Sequence, residues 1–396
     1  MDKTCIAVPE IVLPAAGVDM TAWAVIACDQ HTSDAAYWEE LDRFVGDRPS
    51  ALRLTLPEIY LSDSERRTAE IERTMREYRA RGIFRKLPPG FVFVERSAPG
   101  TPVRRGIVLA VDLEAYSYAP KSDAMIRATE ATILSRIPPR LKIRENVSLE
   151  FPHIMLLYDD PSDTVGQCVR ARLGETLYDF DLNMGGGHIR GRFVSDCAPV
   201  IAAFASLIKD GLLFMVGDGN HSLATAKAAW ERLKPSLSAA ERETHPARYA
   251  LCEAVNLYDE GIRFEAIHRF VTGIDPDKFA RSLSFAGEGA GELCVGGKSA
   301  PLRLPADVPQ AVAAADEAIG AYIAENGGEV DYVHGDDAVR ALTAKRKDSA
   351  AILLPKMDKA ALFDAVKRGG SLPRKTFSMG ESEEKRYYIE GKEIKK

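Results

Sequence analysis

A glycine-rich loop after a short apolar run is the part of this sequence best suited to chemistry. The run at residues 212–216 predicts a buried strand, the segment Gly217-Asp-Gly-Asn-His-Ser222 follows it, and apolar residues at helical spacing follow from Leu223. A strand, a tight turn and a helix start present backbone N–H groups and the positive end of the helix dipole to whatever lies above the turn. Such a site suits a phosphate or a carboxylate.

Each residue of this loop has a predicted role, in phosphate binding or in catalysis. Gly217 and Gly219 allow the positive φ angles and the close backbone approach that a bound anion needs. The remaining phosphate-binding candidates are Asn220 and Ser222. Two further residues are predicted to be catalytic, His221 by stabilising developing charge and Asp218 by holding a metal ion or taking a proton.

The spacing of the loop excludes two common nucleotide motifs. It is not a Walker loop, because no Gly-Lys-Ser/Thr follows, and its GxGxxS pattern disfavours a dinucleotide fold. An ordinary strand-to-helix turn, in which Asp218 and Ser222 only satisfy backbone groups, is the alternative.

A second polar loop follows the apolar run 21–28, which predicts a strand. If this strand and 212–216 lie parallel in one sheet, Asp29 and His31 face the first loop, because ligands of open α/β sheets bind beyond the carboxyl ends of the strands. Asp29 or His31 would then act as general base on an acceptor hydroxyl, with Mg²⁺ on Asp218. The alternative is that the loop only caps the next helix.

Short motifs along the chain carry a resemblance to a known family. They are the loop at 216–222 and the segments 126–132, 151–161, 256–261 with His268-Arg269, and 372–377. Taken in their order along the chain, these segments resemble the motifs of the domain-of-unknown-function 1015 family, whose glycine loop is Asp-Gly-His-His-Arg. That loop is similar to loops of ParB-type CTPases, sulfiredoxins and free-serine kinases. In those proteins the loop lies just before a helix and binds nucleotide phosphates. The resemblance therefore implies a ParB/sulfiredoxin-like core around residues 212–233 and a nucleotide at 217–222.

The resemblance also implies ATP or ADP with Mg²⁺ and, in the kinase branch, phosphoryl transfer to a small hydroxyl acceptor. This sequence departs from the family loop at Asn220, which replaces the first His, and at Ser222, which replaces the Arg. Losing that Arg removes a bidentate phosphate clamp. The sulfiredoxin cysteine is absent as well, since position 220 is Asn, and this disfavours a sulfinic-acid reductase.

Charged residues outside the loop complete the predicted site. The additional phosphate-binding candidates are Arg127, Arg140 and Lys375, and the substrate-binding candidates are Glu130, His268 and Arg269. Salt bridges or solvated faces are the alternative for these charges. His153 and His188 lie in strand-like segments, where we expect structural histidines.

Strand-like and helix-like stretches alternate along the chain, which predicts an α/β fold of mixed sheets with flanking helices. A helix is predicted over 122–137 and a hairpin over 177–194. The composition shifts toward Ala, Gly and charge near residue 272, so the predicted units are 1–271, with both loops, and a C-terminal α/β module, 272–396.

Composition limits the class of protein. With 396 residues, 46% of them apolar, the chain can bury a large core, and its net charge of −6 argues against a dedicated nucleic-acid binder. No apolar run is long enough for a membrane span, and the six scattered cysteines predict neither disulfides nor a zinc site. Since no His–carboxylate pattern has zinc-like spacing, no structural metal is expected.

These observations favour a cytoplasmic, Mg²⁺-assisted phosphotransferase that uses ATP or ADP and a small hydroxylated substrate, with no nucleic-acid or membrane partner. A homodimer is compatible with the sequence. Two alternatives stay open: a switch that reads CTP or ATP, and a non-catalytic metabolite-binding protein.

Overall fold

The computed structural model describes residues 4–32, 34–132, 137–380 and 384–395. The chain forms two compact units, Met1–Ile262 with Glu381–Lys396 and Arg263–Gly380. The second unit is thus inserted into the first. The boundary predicted at 271 falls near the end of the first strand of the inserted unit, Phe264–Thr272. The amino-acid composition changes only after this strand, although the strand already belongs to the second unit.

The first unit is built around a large mixed sheet. The strands of the first unit that precede the insertion, in this sheet and in smaller ones, are β1 (Ile6–Ala7), β2 (Ile11–Pro14), β3 (Val25–Ile26), β4 (Phe84–Lys86), β5 (Phe91–Ser97), β6 (Arg104–Asp112), β7 (Tyr116–Ser117), β8 (Ile126–Ala128), β9 (Leu149–Glu150), β10 (Met155–Tyr158), β11 (Thr176–Asp181), β12 (His188–Val194), β13 (Phe214–Asp218) and β14 (Tyr249–Asn256). The strand order in the large sheet is β11-β12-β5-β6-β14-β10-β13-β8-β7, and β1 pairs with β6 at its side. Its central strands are buried along nearly their whole length, as their apolar sequences predict.

Helices flank this sheet. They are α1 (Met20–Trp23), α2 (Ala35–Val45), α3 (Ser64–Ala80), α4 (Ile137–Asn146), α5 (Thr164–Arg170), α6 (Ala198–Ser206), α7 (Asn220–Leu233) and α8 (Ala239–Thr244). Helix α4 packs on α7 through Ile137, Leu141 and Ala224. The predicted α/β class is therefore confirmed, as is the hairpin at 177–194, which β11 and β12 form.

Two predicted elements are wrong. Residues 21–28 are not one strand, because Asp19 accepts hydrogen bonds from the N–H groups of Thr21 and Ala22 and starts helix α1, leaving only β3 extended. Residues 122–137 are not one helix: Ile126 and Ala128 are buried in strand β8, parallel to β13. Their period-two burial is that of a strand. Residues 133–136 of that prediction lie outside the described residues.

The inserted unit has its own sheet and core. Its strands are β15 (Phe264–Thr272), β16 (Gly289–Val295), β17 (Lys298–Leu304), β18 (Glu329–His334), β19 (Ser349–Leu353) and β20 (Phe377–Met379), and its helices are α9 (Pro276–Ser282), α10 (Val308–Asn326), α11 (Asp336–Lys345) and α12 (Leu362–Gly369). The sheet order is β17-β16-β19-β15-β18, with β20 also paired to β15. Val271, Phe279, Val312, Ile319 and Ile352 form the centre of its core.

After the insertion the chain returns to the first unit through β21 (Tyr387–Tyr388) and β22 (Gly391–Glu393). Strand β21 pairs with β3, and β22 pairs with β2 and β9. Just before β21, Arg386 is buried and ion-paired with Glu253 and Glu390, both at 2.8 Å. The C-terminal segment is therefore an integral part of the first unit's core.

Candidate functional site

The glycine loop has the predicted strand–turn–helix geometry. Strand β13 ends at Asp218, Gly219 adopts φ +77°, and α7 begins at Asn220. A Cβ on Gly219 would lie 2.9 Å from the Cα of Ile154, so both the backbone angle and the close approach require glycine. Gly217 instead lies within β13, where the register with β10 shifts by one residue. Of the two glycines whose residue type allows a positive φ, only Gly219 adopts one.

Helix α7 presents an uncapped N-terminus. The N-cap residue of the described helix is Gly219, so no side chain of the cap residue accepts a hydrogen bond from the first-turn amides. The amides of a first helical turn have no carbonyl partner within the helix, and the helix dipole adds positive potential there. This end of α7 can therefore accept an anion.

Three side chains from distant parts of the sequence converge beside this turn. Asp29, His153 and Asp218 each offer one ligand atom, and these atoms all lie within 4.8 Å of one another. We call them the Asp–His–Asp cluster. Asp29 follows β3, His153 precedes β10 and Asp218 ends β13. The two polar loops do meet through Asp29 and Asp218, although β3 pairs with β21 and not with the large sheet.

His153 is the most buried member of the cluster, with 7% of its side chain exposed. Its Nδ1 lies 2.9 Å from the hydroxyl of Tyr388, while its Nε2 is buried without a hydrogen-bond partner, 3.5 Å from Asp29 Oδ2. Burial by itself lowers the pKa of His153, but the charges of Asp29 and Asp218 raise it overall.

Asp29 is held in its ionised form. Burial by itself raises the pKa of this carboxyl, but the adjacent His153, with smaller contributions from Gln30 and Lys385, holds that pKa well below its usual range. Gln30 Nε2 donates to Asp29 Oδ1 over 3.0 Å. The carboxylate is therefore charged at neutral pH.

Two basic side chains interact electrostatically with carboxylates of the cluster. Lys385 Nζ is 3.4 Å from Asp218 Oδ2, with 16% of the lysine side chain exposed. Arg140, which extends from α4, is ion-paired with Glu58. Burial lowers the pKa of Arg140, and the charge of Asp29 partly offsets this effect. Lys385 therefore places a positive charge beside Asp218, at the end of the strand that leads into α7.

The other residues predicted near the two loops have different positions. His31 adopts φ +51° and stacks on Tyr37 with 3.8 Å between ring centroids, outside the Asp–His–Asp cluster. The general-base role of Asp29 or His31 stays a prediction. His221 and Ser222 lie half-buried in the first turn of α7, and the buried Oδ1 of Asn220 has no hydrogen-bond partner.

Arg127 and Glu130 belong to the strand that adjoins the loop. Arg127 is in β8, opposite Met215 of β13, and its Nε donates to the carbonyl of Ala124 over 3.0 Å. Glu130 is half-buried just after β8. Both therefore lie in the neighbouring strand segment, and their binding roles stay predictions.

Three predicted residues belong to the inserted unit. Arg269 is fully buried, and all five of its N–H donors are used: two on Asp316, and one each on the carbonyls of Ile267, Arg374 and Lys375. A guanidinium satisfied in this way has no donor left for a substrate.

The partners of His268 are in the inserted unit too. Its Nε2 lies 2.9 Å from Asp336 Oδ1, and its Nδ1 accepts the N–H of Leu354. Lys375 is exposed and adopts φ +57°. The structure therefore gives all three of these residues contacts within the inserted unit and does not bring them into the Asp–His–Asp cluster.

Sequence reasoning does not find His153, Lys385 and Tyr388 as site residues. His153 precedes an apolar strand, which predicts a structural histidine, and no spacing rule links it to Asp29 or Asp218. Lys385 and Tyr388 lie beyond the insertion. Only the fold brings these residues to the loop.

The donor set can hold a divalent cation. Two carboxylate oxygens suit any hard divalent ion, and the imidazole nitrogen adds a ligand typical of transition metals. The expectation of no His–carboxylate metal group rests on sequence spacing, which does not detect ligands from three separate segments.

Among the described helices, none is both long and apolar enough to cross a bilayer.

Comparison with known proteins identifies the family. Residues 12–368 match the family described as a protein of unknown function, DUF1015. The chain belongs to this family. A search of curated proteins gives no match.

Several solved structures are similar to this DUF1015 chain. A free serine kinase in complex with AMP is 12% identical, covers 73% of this chain and 91% of its own, and has a TM-score of 0.40. A conserved hypothetical protein from Pyrococcus furiosus is 12% identical over 73% of this chain and 95% of its own, with a TM-score of 0.38. SbnI from Staphylococcus aureus, with a C-terminal truncation, is 9% identical over 69% and 82%, with a TM-score of 0.36.

Proposed function

We propose that this DUF1015 protein transfers a phosphoryl group from ATP or ADP to the hydroxyl of a small metabolite. The observation that carries the proposal is the convergence of Asp29, His153 and Asp218 beside the uncapped N-terminus of α7. Phosphoryl transfer depends mainly on positioning and on neutralising charge, and this site offers groups for both.

The phosphates would lie against the first turn of α7. The helix dipole and the amides of that turn favour negative charge, and Gly219 lets the chain turn without a side chain in the way. Lys385, beside Asp218, would supply the positively charged side chain that is missing because Ser222 replaces the family's Arg. The C-terminal segment would thus complete the phosphate site.

The two carboxylates would hold the divalent cation that accompanies a nucleotide. Asp29 stays ionised because of its surroundings, and Asp218 lies at the end of the strand that leads into the turn. A bound divalent cation supplies positive charge to the phosphate oxygens. The role of the two carboxylates is to fix its position relative to α7.

The test is a transfer assay with an acceptor library. The protein is incubated with ATP labelled at the γ-phosphate, or ADP labelled at the β-phosphate, and pools of small hydroxylated metabolites, with Mg²⁺ and with Mn²⁺. We expect label to appear in one class of acceptor. We expect Asp218→Asn to reduce the rate by about 100-fold or more, as the loss of a charge-stabilising group does in other enzymes.

Asp123→Asn is the matched control, because Asp123 is an exposed aspartate of the same unit. It should leave the rate unchanged. Transfer that survives Asp218→Asn would contradict the assigned site. Nucleotide binding without transfer to any acceptor would instead favour the nucleotide-reading switch.

A further inference from the structure

The Asp–His–Asp cluster has a chemical property that phosphate binding does not use. Its ligand atoms are two carboxylate oxygens and one imidazole nitrogen, contributed by three separate segments and held within 4.8 Å of one another. The buried Nε2 of His153 has no hydrogen-bond partner. A buried polar atom without a partner is costly, so such an atom facing two carboxylates indicates a ligand.

Each member of the cluster is oriented by a hydrogen bond to its other polar atom. Asp29 Oδ1 accepts from Gln30 Nε2 (3.0 Å), and Asp218 Oδ1 accepts the N–H of Gly219 (2.8 Å). His153 Nδ1 lies 2.9 Å from the Tyr388 hydroxyl oxygen. Asp29 Oδ2, Asp218 Oδ2 and His153 Nε2 are therefore the atoms left to bind a ligand. Outer partners of this kind fix the geometry of metal ligands in proteins.

The donor types select among cations. Mg²⁺ strongly prefers an all-oxygen octahedral shell and keeps several waters, whereas imidazole suits first-row transition ions. We infer that the Asp–His–Asp cluster is a site for a divalent transition-metal ion, such as Mn²⁺ or Co²⁺, in preference to Mg²⁺. The inference stands on the cluster alone and holds whether or not the protein transfers a phosphoryl group.

The charges around the cluster are compatible with this assignment. Lys385 Nζ lies 3.4 Å from Asp218 Oδ2, so an incoming cation must move the ammonium group aside. The lysine side chain is partly exposed and long, which allows that movement. The positive charge of Arg386, which also acts on His153, is already ion-paired with Glu253 and Glu390.

The experiment is a metal titration of the whole chain without nucleotide. Chelator-treated protein is titrated with Mn²⁺, Co²⁺ and Mg²⁺ by calorimetry, and the Mn²⁺ complex is examined by electron spin-echo spectroscopy for coupling to a directly bound nitrogen. We expect one equivalent of Mn²⁺, bound at least about 10-fold more tightly than Mg²⁺, with imidazole nitrogen coupling.

Variants separate a ligand from a structural histidine. His153→Gln should abolish the nitrogen coupling and remove the preference over Mg²⁺. His188→Gln is the matched control, because His188 also lies between two aspartates, Asp179 and Asp181, but on an exposed hairpin with both ring nitrogens in hydrogen bonds. Tyr388→Phe keeps all three ligands and should weaken Mn²⁺ binding by about 10-fold.

Two results would overturn the inference: equal affinity of the wild type for Mn²⁺ and Mg²⁺, or nitrogen coupling that survives His153→Gln. If His153→Gln does not fold, the wild-type nitrogen coupling and the Tyr388→Phe affinity decide the question. Either of these two results together with phosphoryl transfer would overturn this inference and leave the proposed function standing. Tight Mn²⁺ binding without any nucleotide effect would count against the proposed function alone.

Discussion

At the residue scale, the glycine loop shows how much local sequence reveals. The prediction of a strand, a turn and a helix start at 212–223 is confirmed, because an apolar run and two glycines are local signals. His153 cannot be predicted in the same way. Its chemical setting depends on Asp29 and Asp218, which only tertiary structure brings to it. Gly217 does not use the positive φ that its residue type allows, and lies instead where the register between β13 and β10 shifts.

Gly219 is the residue on which the turn depends most. We expect Gly219→Ala to lower the free energy of unfolding by about 1–2 kcal/mol through its positive φ and by about 1–3 kcal/mol more through the contact with Ile154. Gly100→Ala is the control, because Gly100 has φ +74° but a Cβ there would meet no atom within 4 Å. Urea denaturation of both variants measures the difference. Equal losses would show that the close approach to Ile154 is unimportant.

At the element scale, strands that pair with distant segments are the hardest to predict. Strand β3 is only two residues long and pairs with β21, which follows the inserted unit. Strand β8 resembles a helix segment in sequence, because Ala and Glu, which favour helices, lie in and just after it. Its partner β13 lies far along the chain, so no local signal reveals the pairing. The hairpin of β11 and β12 is predictable, since a glycine triplet joins two adjacent alternating segments.

Strand β22 also carries a titration that can be measured. Burial, only partly offset by Glu150, lowers the pKa of Lys392 from 10.5 to about 8. Between these two pH values the unfolded chain binds more protons at this position than the folded chain, so this group makes stability increase as the pH rises. The full contribution is at most about 3 kcal/mol.

The measurement compares the pH dependence of unfolding in wild type and Lys392→Met. We expect the variant to lose the increase between pH 8 and 10.5, and hence to gain stability relative to the wild type at pH 7. Lys121→Met, at an exposed position, should behave like the wild type. Parallel curves for wild type and Lys392→Met would contradict the assignment to this residue.

At the scale of the whole molecule, the chain consists of one unit inserted into another. The ends of the inserted unit are adjacent: Gly380 donates its N–H to the carbonyl of Arg263 over 3.3 Å, and Phe264 lies opposite Met379. The sequence indicates two α/β parts. It does not indicate that the chain returns to the first, because the short strands β21 and β22 have little periodicity of their own.

The adjacent ends make the insertion separable. We expect residues 263–380 to fold alone around their own core, and the rest of the chain to fold when a short Gly/Ser linker replaces them. Circular dichroism and thermal unfolding of the two pieces provide the test. If neither piece shows a cooperative transition, the two units depend on each other for folding.

The central claim is that the turn before α7 binds nucleotide phosphates, and a thermal-shift panel tests it most directly. Wild type, Asp218→Asn and Lys385→Met are melted with ATP, ADP, CTP, GTP or AMP, each with and without a divalent cation. At about 100 times its Kd a nucleotide stabilises the folded protein by about 2.7 kcal/mol, which raises Tm by several degrees. We predict a cation-dependent shift with ATP or ADP that both variants reduce. A wild-type Tm that no nucleotide changes, with or without the cation, would contradict the account.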